Sequence, residues 1–263
     1  MIEDLLFLVS FYSNDRDRLK LKLYCHTVYF KFINDFKLCC INNYIISIKI
    51  LSLTNYHLDW NRGLKYACKS GHHDLVDFMM CSKLGIGANN WNMGLQGACR
   101  GGACCAGGHC PHRDLVDFMV EKGANNWDGG LWDACRGGAC FGQCPHLDIV
   151  KLMIQKGATD WNGGLIAACL GGNIDLVKLM IEKGADDWNW GLEHACWGGA
   201  CCAGGHCPHR DLVDLLIEYG ANNWNLGLMG ACEGNRSDIV KLMINKGATR
   251  CRYCYRNADD HLF

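Results

Sequence analysis

The stretch WNGGLIAACLGGNIDLVKLMIEKGADD, residues 161–187, is one unit of an internal repeat. Units with the same Trp-Asn or Trp-Asp beginning start at six tryptophans between residues 60 and 250. They are Trp60, Trp91, Trp127, Trp161, Trp188 and Trp224. Self-similarity at such a period indicates a solenoid, in which each unit buries its apolar face against its neighbours.

Each unit reads as two helices joined by tight glycine turns. Asn162 follows the tryptophan and is a residue type that caps helices well, so we expect the first helix to begin there. Leu165, Ala168 and Cys169 then lie at helical spacing on one face. Asp175 begins a second helix, because a carboxylate suits the positive end of the helix dipole. The apolar residues of that helix are Leu176, Val177, Leu179, Met180 and Ile181. The pattern predicts an all-α helical-repeat solenoid.

The second half of each unit follows G-x-x-D-[LI]-V-x-x-M-I-x-K-G-A-[DN], and the first half contains L-x-x-A-C. Both patterns resemble the ankyrin repeat, which has L-H-x-A-A in its first helix. The period from Trp161 to Trp188 is 27 residues, against roughly 33 in ankyrin, and the ankyrin β-hairpin finger is missing. A tryptophan fills the shortened connection, and we expect these rings to pack as a ladder along one edge. Such Trp-rich repeats also resemble those of large DNA viruses of protists, which would place the chain in the host cytoplasm.

Residues 1–35 lack the repeat pattern and predict a helical module. A short acidic-apolar helix, a charged turn and L-x-L-x-L-x-C followed by an aromatic residue and Ile resemble an F-box. This resemblance implies docking of a Skp-type adaptor of cullin-RING ubiquitin ligases. The alternative is a helical cap that covers the first repeat. Residues 36–59 read as a degenerate half-repeat and residues 251–263 as a polar tail. The residues assigned to adaptor docking are Leu5, Leu6, Leu21, Leu23, Cys25, Phe30 and Ile33.

Three units carry extra residues between their two helices, namely ACCAGGHCPHRD (103–114), ACFGQCPHLD (139–148) and ACCAGGHCPHRD (200–211). Each insert has a cysteine and then Cys-Pro-His, and thiolates with imidazoles are the ligands of structural zinc. In the unit of Trp127 a further ligand would be Cys135 or a residue of a neighbour, although Cys135 also belongs to a column that we expect to be mostly core. The alternative is a reduced, solvent-facing loop. The candidate zinc ligands are Cys104, Cys110, His112, Cys140, Cys144, His146, Cys201, Cys207 and His209.

The positions between the constant Leu, Ala and Cys of the first helices vary from unit to unit, which suggests that packing does not dictate them. In ankyrin-like stacks the first helices line the concave side, which is the usual binding surface. Three tryptophans lie outside the repeated column, and large aromatic residues are frequent binding hot spots. The residues assigned to partner binding are Lys65, Tyr66, Lys69, Trp132, Arg136, Ile166, Trp190, Glu193, His194 and Trp197.

Composition narrows the classes of function. A net charge of −1 gives no reason to expect nucleic acid or an anionic membrane as partner. The N-terminus is acidic where a signal peptide would be basic, and no apolar run is long enough to span a membrane. The 20 cysteines are therefore expected to be reduced, in a cytoplasmic monomer. Because nothing orients a catalytic base, we expect no enzyme and no cofactor beyond structural zinc.

These observations predict a protein-interaction scaffold that binds a protein on the concave face of its repeats. It would act as substrate receptor of a cullin-RING ubiquitin ligase if residues 1–33 dock the adaptor. Two alternatives stand beside this prediction. One is a plain ankyrin-type interaction protein without a link to a ligase, and the other is a zinc-stabilised module that contacts nucleic acid.

Overall fold

A computed structural model describes residues 36–43, 58–80, 87–101, 111–137, 146–198 and 208–251, with residues 45, 48 and 256–257. Over this part of the chain the fold is an all-α helical-repeat solenoid, as the repeat pattern predicted. The predicted N-terminal module and its adaptor-docking residues lie outside the described residues, and docking of an adaptor stays a prediction. The inserts also lie mostly outside them.

The helices of the described part are numbered α1 to α13 in chain order, beginning with α1, Phe36–Ile41. The first helices of the repeats are α2 (Trp60–Lys69), α4 (Trp91–Gly101), α6 (Trp127–Gly137), α8 (Trp161–Gly171), α10 (Trp188–Trp197) and α12 (Trp224–Glu233). The second helices are α3 (His73–Met80), α5 (Pro111–Glu121), α7 (His146–Lys156), α9 (Ile174–Glu182), α11 (Pro208–Glu218) and α13 (Ser237–Asn245). After them, two short strands that the sequence did not predict pair antiparallel, β1 (Arg250–Cys251) with β2 (Arg256–Asn257).

The chain divides into two compact units, residues 1–98 with 115–124 and residues 99–114 with 125–263. In the first unit α2 packs on both α1 and α3. In the second unit α6, α8, α10 and α12 pack in that order, each on the next. Each of these four helices also packs on the second helix of its own repeat. A first helix is therefore held on several sides, and little of its surface is left for solvent.

The core consists of the same columns in every repeat. Leu165, Ala168 and Cys169 of α8 are fully buried, as their helical spacing predicted. The buried residues of α9 are Leu176, Val177 and Met180. Leu179 and Ile181 are only half-buried, so the apolar face of the second helix is narrower than predicted.

The first helix begins one residue earlier than predicted. Asp160 caps α8, because its Oδ1 accepts a hydrogen bond of 2.8 Å from the backbone N–H of Gly163. Trp161 is then the first helical residue, and Asn162 is not needed as a cap. The residue before the tryptophan makes the same bond in four other repeats, where it is Asp59, Asn90, Asn126 or Asn223.

The residue after the tryptophan ties the two ends of a repeat together. Asn162 Oδ1 accepts hydrogen bonds from the backbone N–H groups of Asp186, at 2.9 Å, and Asp187, at 3.1 Å. These two amides directly precede the tryptophan of the next repeat. The same pair of bonds is made by Asn61, Asp128, Asn189 and Asn225. Because one oxygen holds two amides, this side chain fixes the loop that leads into the next repeat.

Replacing Asn162 with alanine should lower the free energy of unfolding by about 1–2 kcal/mol, because two backbone N–H groups lose their protein acceptor. The matched control is Asn222→Ala, which removes an exposed amide from an equivalent loop. Urea denaturation followed by circular dichroism measures both variants. Equal midpoints for the two would show that the Asn162 bonds contribute nothing.

The tryptophans of the repeat column are half-buried. Two of these tryptophans contact the residue that precedes the last glycine of their own repeat. Trp188 stacks on Tyr219 with ring centroids 5.5 Å apart, and the Lys246 ammonium lies 5.9 Å from the centre of Trp224. These two rings therefore close their own repeat, and do not form the predicted ladder through these contacts.

Candidate functional site

Two tryptophans on α10 are exposed although the helix is well packed. Trp190 is 47% exposed and Trp197 is 39% exposed. His194 lies between them, with its Nδ1 donating to the Trp190 carbonyl oxygen at 2.9 Å and its ring edge-on to Trp197 at 6.1 Å. Residues four and then three positions apart share one face of a helix. These three side chains therefore form a continuous aromatic strip, here called the α10 ridge.

Glu193 lies beside the α10 ridge, but it is not the exposed surface residue that the sequence predicted. Only 9% of it is exposed, and its Oε2 is buried without a hydrogen-bond partner. Burial, and then the negative charge of Glu233 on α12, raise the pKa of Glu193 to about 7. The carboxyl group is therefore held in an environment that disfavours its ionised form.

Close backbone packing brings Glu233 to this side of α10. Gly230 of α12 and Gly234, which caps the end of that helix, pack directly against carbonyl oxygens of α10. A Cβ at Gly230 would collide with the Glu193 carbonyl oxygen, and one at Gly234 would collide with that of Trp197. Because glycine has no side chain, the two helices approach each other at main-chain distance.

A second buried carboxylate lies on α6. Asp133 of α6 is only 5% exposed, and its Oδ1 lies 3.9 Å from Nη1 of Arg100. Arg136 is half-buried nearby, and burial, followed by repulsion from Arg100, lowers its pKa. This acid therefore has cations around it, in contrast to Glu193.

Most of the other residues assigned to partner binding are less exposed than the two tryptophans of the ridge. Trp132 and Ile166 are half-buried on α6 and α8. In the first unit, the Lys65 ammonium donates to Gln96 Oε1 at 2.9 Å, and Lys37 lies 5.5 Å from the centre of the Tyr66 ring. Lys69 of the same helix is exposed.

His209, the Cys-Pro-His histidine of the last insert, belongs to a structural column. His209 is 3% exposed, and its Nε2 lies 3.3 Å from the Leu170 carbonyl oxygen at the end of α8. Two repeats without an insert place a donor at the same position: His72 Nε2 lies 2.7 Å from Ile41 O, and Arg236 Nη1 donates to Gly198 O at 2.8 Å. The carbonyls at a helix end lack helical partners. The column supplies those partners, so a metal could reach His209 only through Nδ1 while this bond stands.

The cysteines of the repeat column are packing residues. Cys135 is fully buried, and burial raises the pKa of its thiol to about 12. A thiol with a raised pKa is unreactive, which fits the core position that the repeat column assigned to Cys135. No group of three or more metal-ligating residues occurs among the described residues. His112 is buried, whereas the insert cysteines and the His146 side chain lie outside the described part, and zinc binding stays a prediction.

None of the helices in the part of the chain that the structure describes combines the length and the apolar character needed to cross a membrane. No protein-family model matches the chain, and no curated protein matches it.

Proposed function

We propose that the chain is a protein-interaction module that binds its partner on the exposed surface of the first helices, with the α10 ridge at the centre. The observation that carries the proposal is the exposure of Trp190 and Trp197 on a helix whose other faces are buried. Exposed apolar patches on a well-folded domain usually mark a partner site. Tryptophan is also among the residues that contribute most to protein interfaces.

The packing of α10 supports this proposal. Helix α10 contacts α8, α12 and α11, which is the second helix of the same repeat. Three neighbours therefore hold it in place. An aromatic strip on a rigid helix loses little conformational freedom when a partner binds, which favours affinity. Because the two tryptophans extend into solvent, they are available for contact and are not required to fill the core.

The chemistry around the ridge supports binding over catalysis. Cys196 is the nearest thiol in sequence to Trp197, and it is fully buried. Burial is the main cause that raises its pKa to about 12. A nucleophilic cysteine needs a lowered pKa and access to substrate. Cys196 therefore fits a packing role.

A positional-scanning array of acetylated nonapeptides tests the proposal on the purified full chain. Peptides that bind the wild-type chain should lose about thirtyfold or more in affinity for the double variant Trp190→Ala/Trp197→Ala, because even one hot-spot residue contributes about 2 kcal/mol. The control is Leu147→Ala, which removes another exposed apolar side chain, from α7. Circular dichroism confirms that both variants are folded. Peptides that bind both variants as tightly as wild type would contradict the proposal.

A further inference from the structure

The surface between α10 and α12 has a carboxylate without a counter-charge. Glu193 is buried, its Oε2 has no hydrogen-bond partner among the residues that the structure describes, and the charge that acts on it is the like charge of Glu233. An unpaired buried acid is costly for a folded protein. Such a group therefore requires an explanation beyond packing.

Asp133 provides an internal comparison. It is also buried, although at a different position of its repeat, and Arg100 lies beside it. The cations near α10 are already engaged. Arg236 donates to the Gly198 carbonyl oxygen and to Asp238, and Arg210 pairs with Asp214. Glu193, which has the like charge of Glu233 acting on it, thus differs from Asp133, which has Arg100 beside it.

The surroundings of Glu193 suit a cation that arrives from outside. On a helix, residues three and four positions apart are neighbours, which puts Trp190 on one side of Glu193 and Trp197 on the other. Both rings are exposed, and a tryptophan face attracts an ammonium or guanidinium group. The two carboxylates can pair with the charge of a basic side chain, and the two exposed indoles can pack against it.

We propose that a lysine or arginine side chain of the bound protein docks along the outer edge of the contact between α10 and α12, where it pairs with Glu193 and Glu233 and lies against Trp190 or Trp197. This inference rests on the proposed function, because it concerns the same surface. It adds the chemistry of the partner: a basic residue among apolar ones. Arginine and lysine differ in shape, since arginine can bond a carboxylate with two parallel N–H groups.

The pH dependence follows from the charges around Glu193. Helix α8 has no acidic or basic side chain, α12 contributes Glu233, and α10 itself contributes His194. Arg210 of α11, with Arg236 and Asp238 of α13, acts on the neighbouring Cys196. Because a bound cation favours the ionised carboxyl group, binding should strengthen as pH rises through the Glu193 pKa of about 7.

The array peptides provide the test. Binders should contain lysine or arginine, and replacing that residue with norleucine or citrulline should lower affinity about tenfold or more. Glu193→Gln should cause a similar loss for the basic peptides and little for their neutral versions. For the wild-type chain, affinity should fall about tenfold from about pH 8 to about pH 6, as the ionised fraction falls, and the Glu193→Gln chain should lack this dependence.

The control is Glu218→Gln, which removes an exposed carboxylate from α11 and should leave binding unchanged. Glu193→Gln should fold at least as stably as wild type above about pH 7, because folding raises the pKa of this acid and its ionised form is the one that costs stability. Peptides that need Trp190 and Trp197 but are insensitive to Glu193→Gln would overturn the inference and leave the proposed function standing. Equal losses for basic and neutral peptides would assign Glu193 a structural role and also overturn it. Peptides that need neither tryptophan would overturn the proposed function itself.

Discussion

Replacing Gly230 with alanine is expected to lower the free energy of unfolding by about 3 kcal/mol, although alanine normally stabilises a helix by about 1 kcal/mol relative to glycine. The reason is the position of the new methyl group, which would collide with the Glu193 carbonyl oxygen. A backbone atom cannot rotate away as a side chain can. The collision would therefore force α10 and α12 apart along the contact that also includes Gly234 and Trp197.

Gly191→Ala is the matched control, on α10 itself. The nearest atom to its new Cβ is Leu216 Cδ2, a side-chain methyl at 3.3 Å, which can shift by a small rotation. We expect a change within about 1 kcal/mol for this variant. Urea denaturation of the full chain, followed by circular dichroism, compares the two. A Gly230→Ala chain as stable as Gly191→Ala would show that α10 and α12 do not meet at main-chain distance.

The repeat and its core columns could be predicted because they depend on period alone. Leu165 and Cys169 recur at fixed distances from the tryptophan, and burial against neighbouring repeats follows from that spacing. The beginning of the first helix could not be decided in the same way. A capping residue type stands on each side of Trp161, and the structure uses both: Asp160 caps the helix, and Asn162 holds the next loop. Every repeat has a residue of capping type on each side of its tryptophan. The sequence itself therefore indicated two separate roles for these residues.

The histidines show that one local motif can have two interpretations. Cys-Pro-His resembles a group of metal ligands when each insert is considered alone. A comparison with the repeats that lack an insert places His72 and Arg236 at the position of His209. The shared feature is a donor that meets a carbonyl at a helix end. The comparison between repeats, and not the Cys-Pro-His motif alone, reveals this hydrogen-bonding role.

Glu193 could not have been predicted as buried from its own column. The equivalent residues in other repeats, such as Lys65 and Ile166, are half-buried, and the position varies in type. Gly230 of the next repeat lets α12 approach the Glu193 backbone. Gly97 approaches Lys65 in the same way in the first unit. Variation at these positions is therefore coupled between neighbouring repeats, so packing does restrict them.

A pair of aspartate substitutions on α9 should separate the two faces of a second helix. Leu176→Asp is expected to cost about 4 kcal/mol or more, because it removes a buried side chain and places a carboxylate without a partner in the core. Leu176 is only 2% exposed. In a solenoid each repeat contacts only its neighbours, so a defect in this middle repeat weakens the stack on both sides.

Leu179→Asp, on the same helix, introduces the same charge at a half-buried position. Water can reach this carboxylate, so we expect a cost of about 1 kcal/mol, near the average for single substitutions. Thermal and urea denaturation of both chains measure the difference. The sequence alone assigned both leucines to one broad apolar face, which would make the two costs equal. A large loss for Leu176→Asp with a small one for Leu179→Asp supports the narrower face, and equal large losses would contradict it.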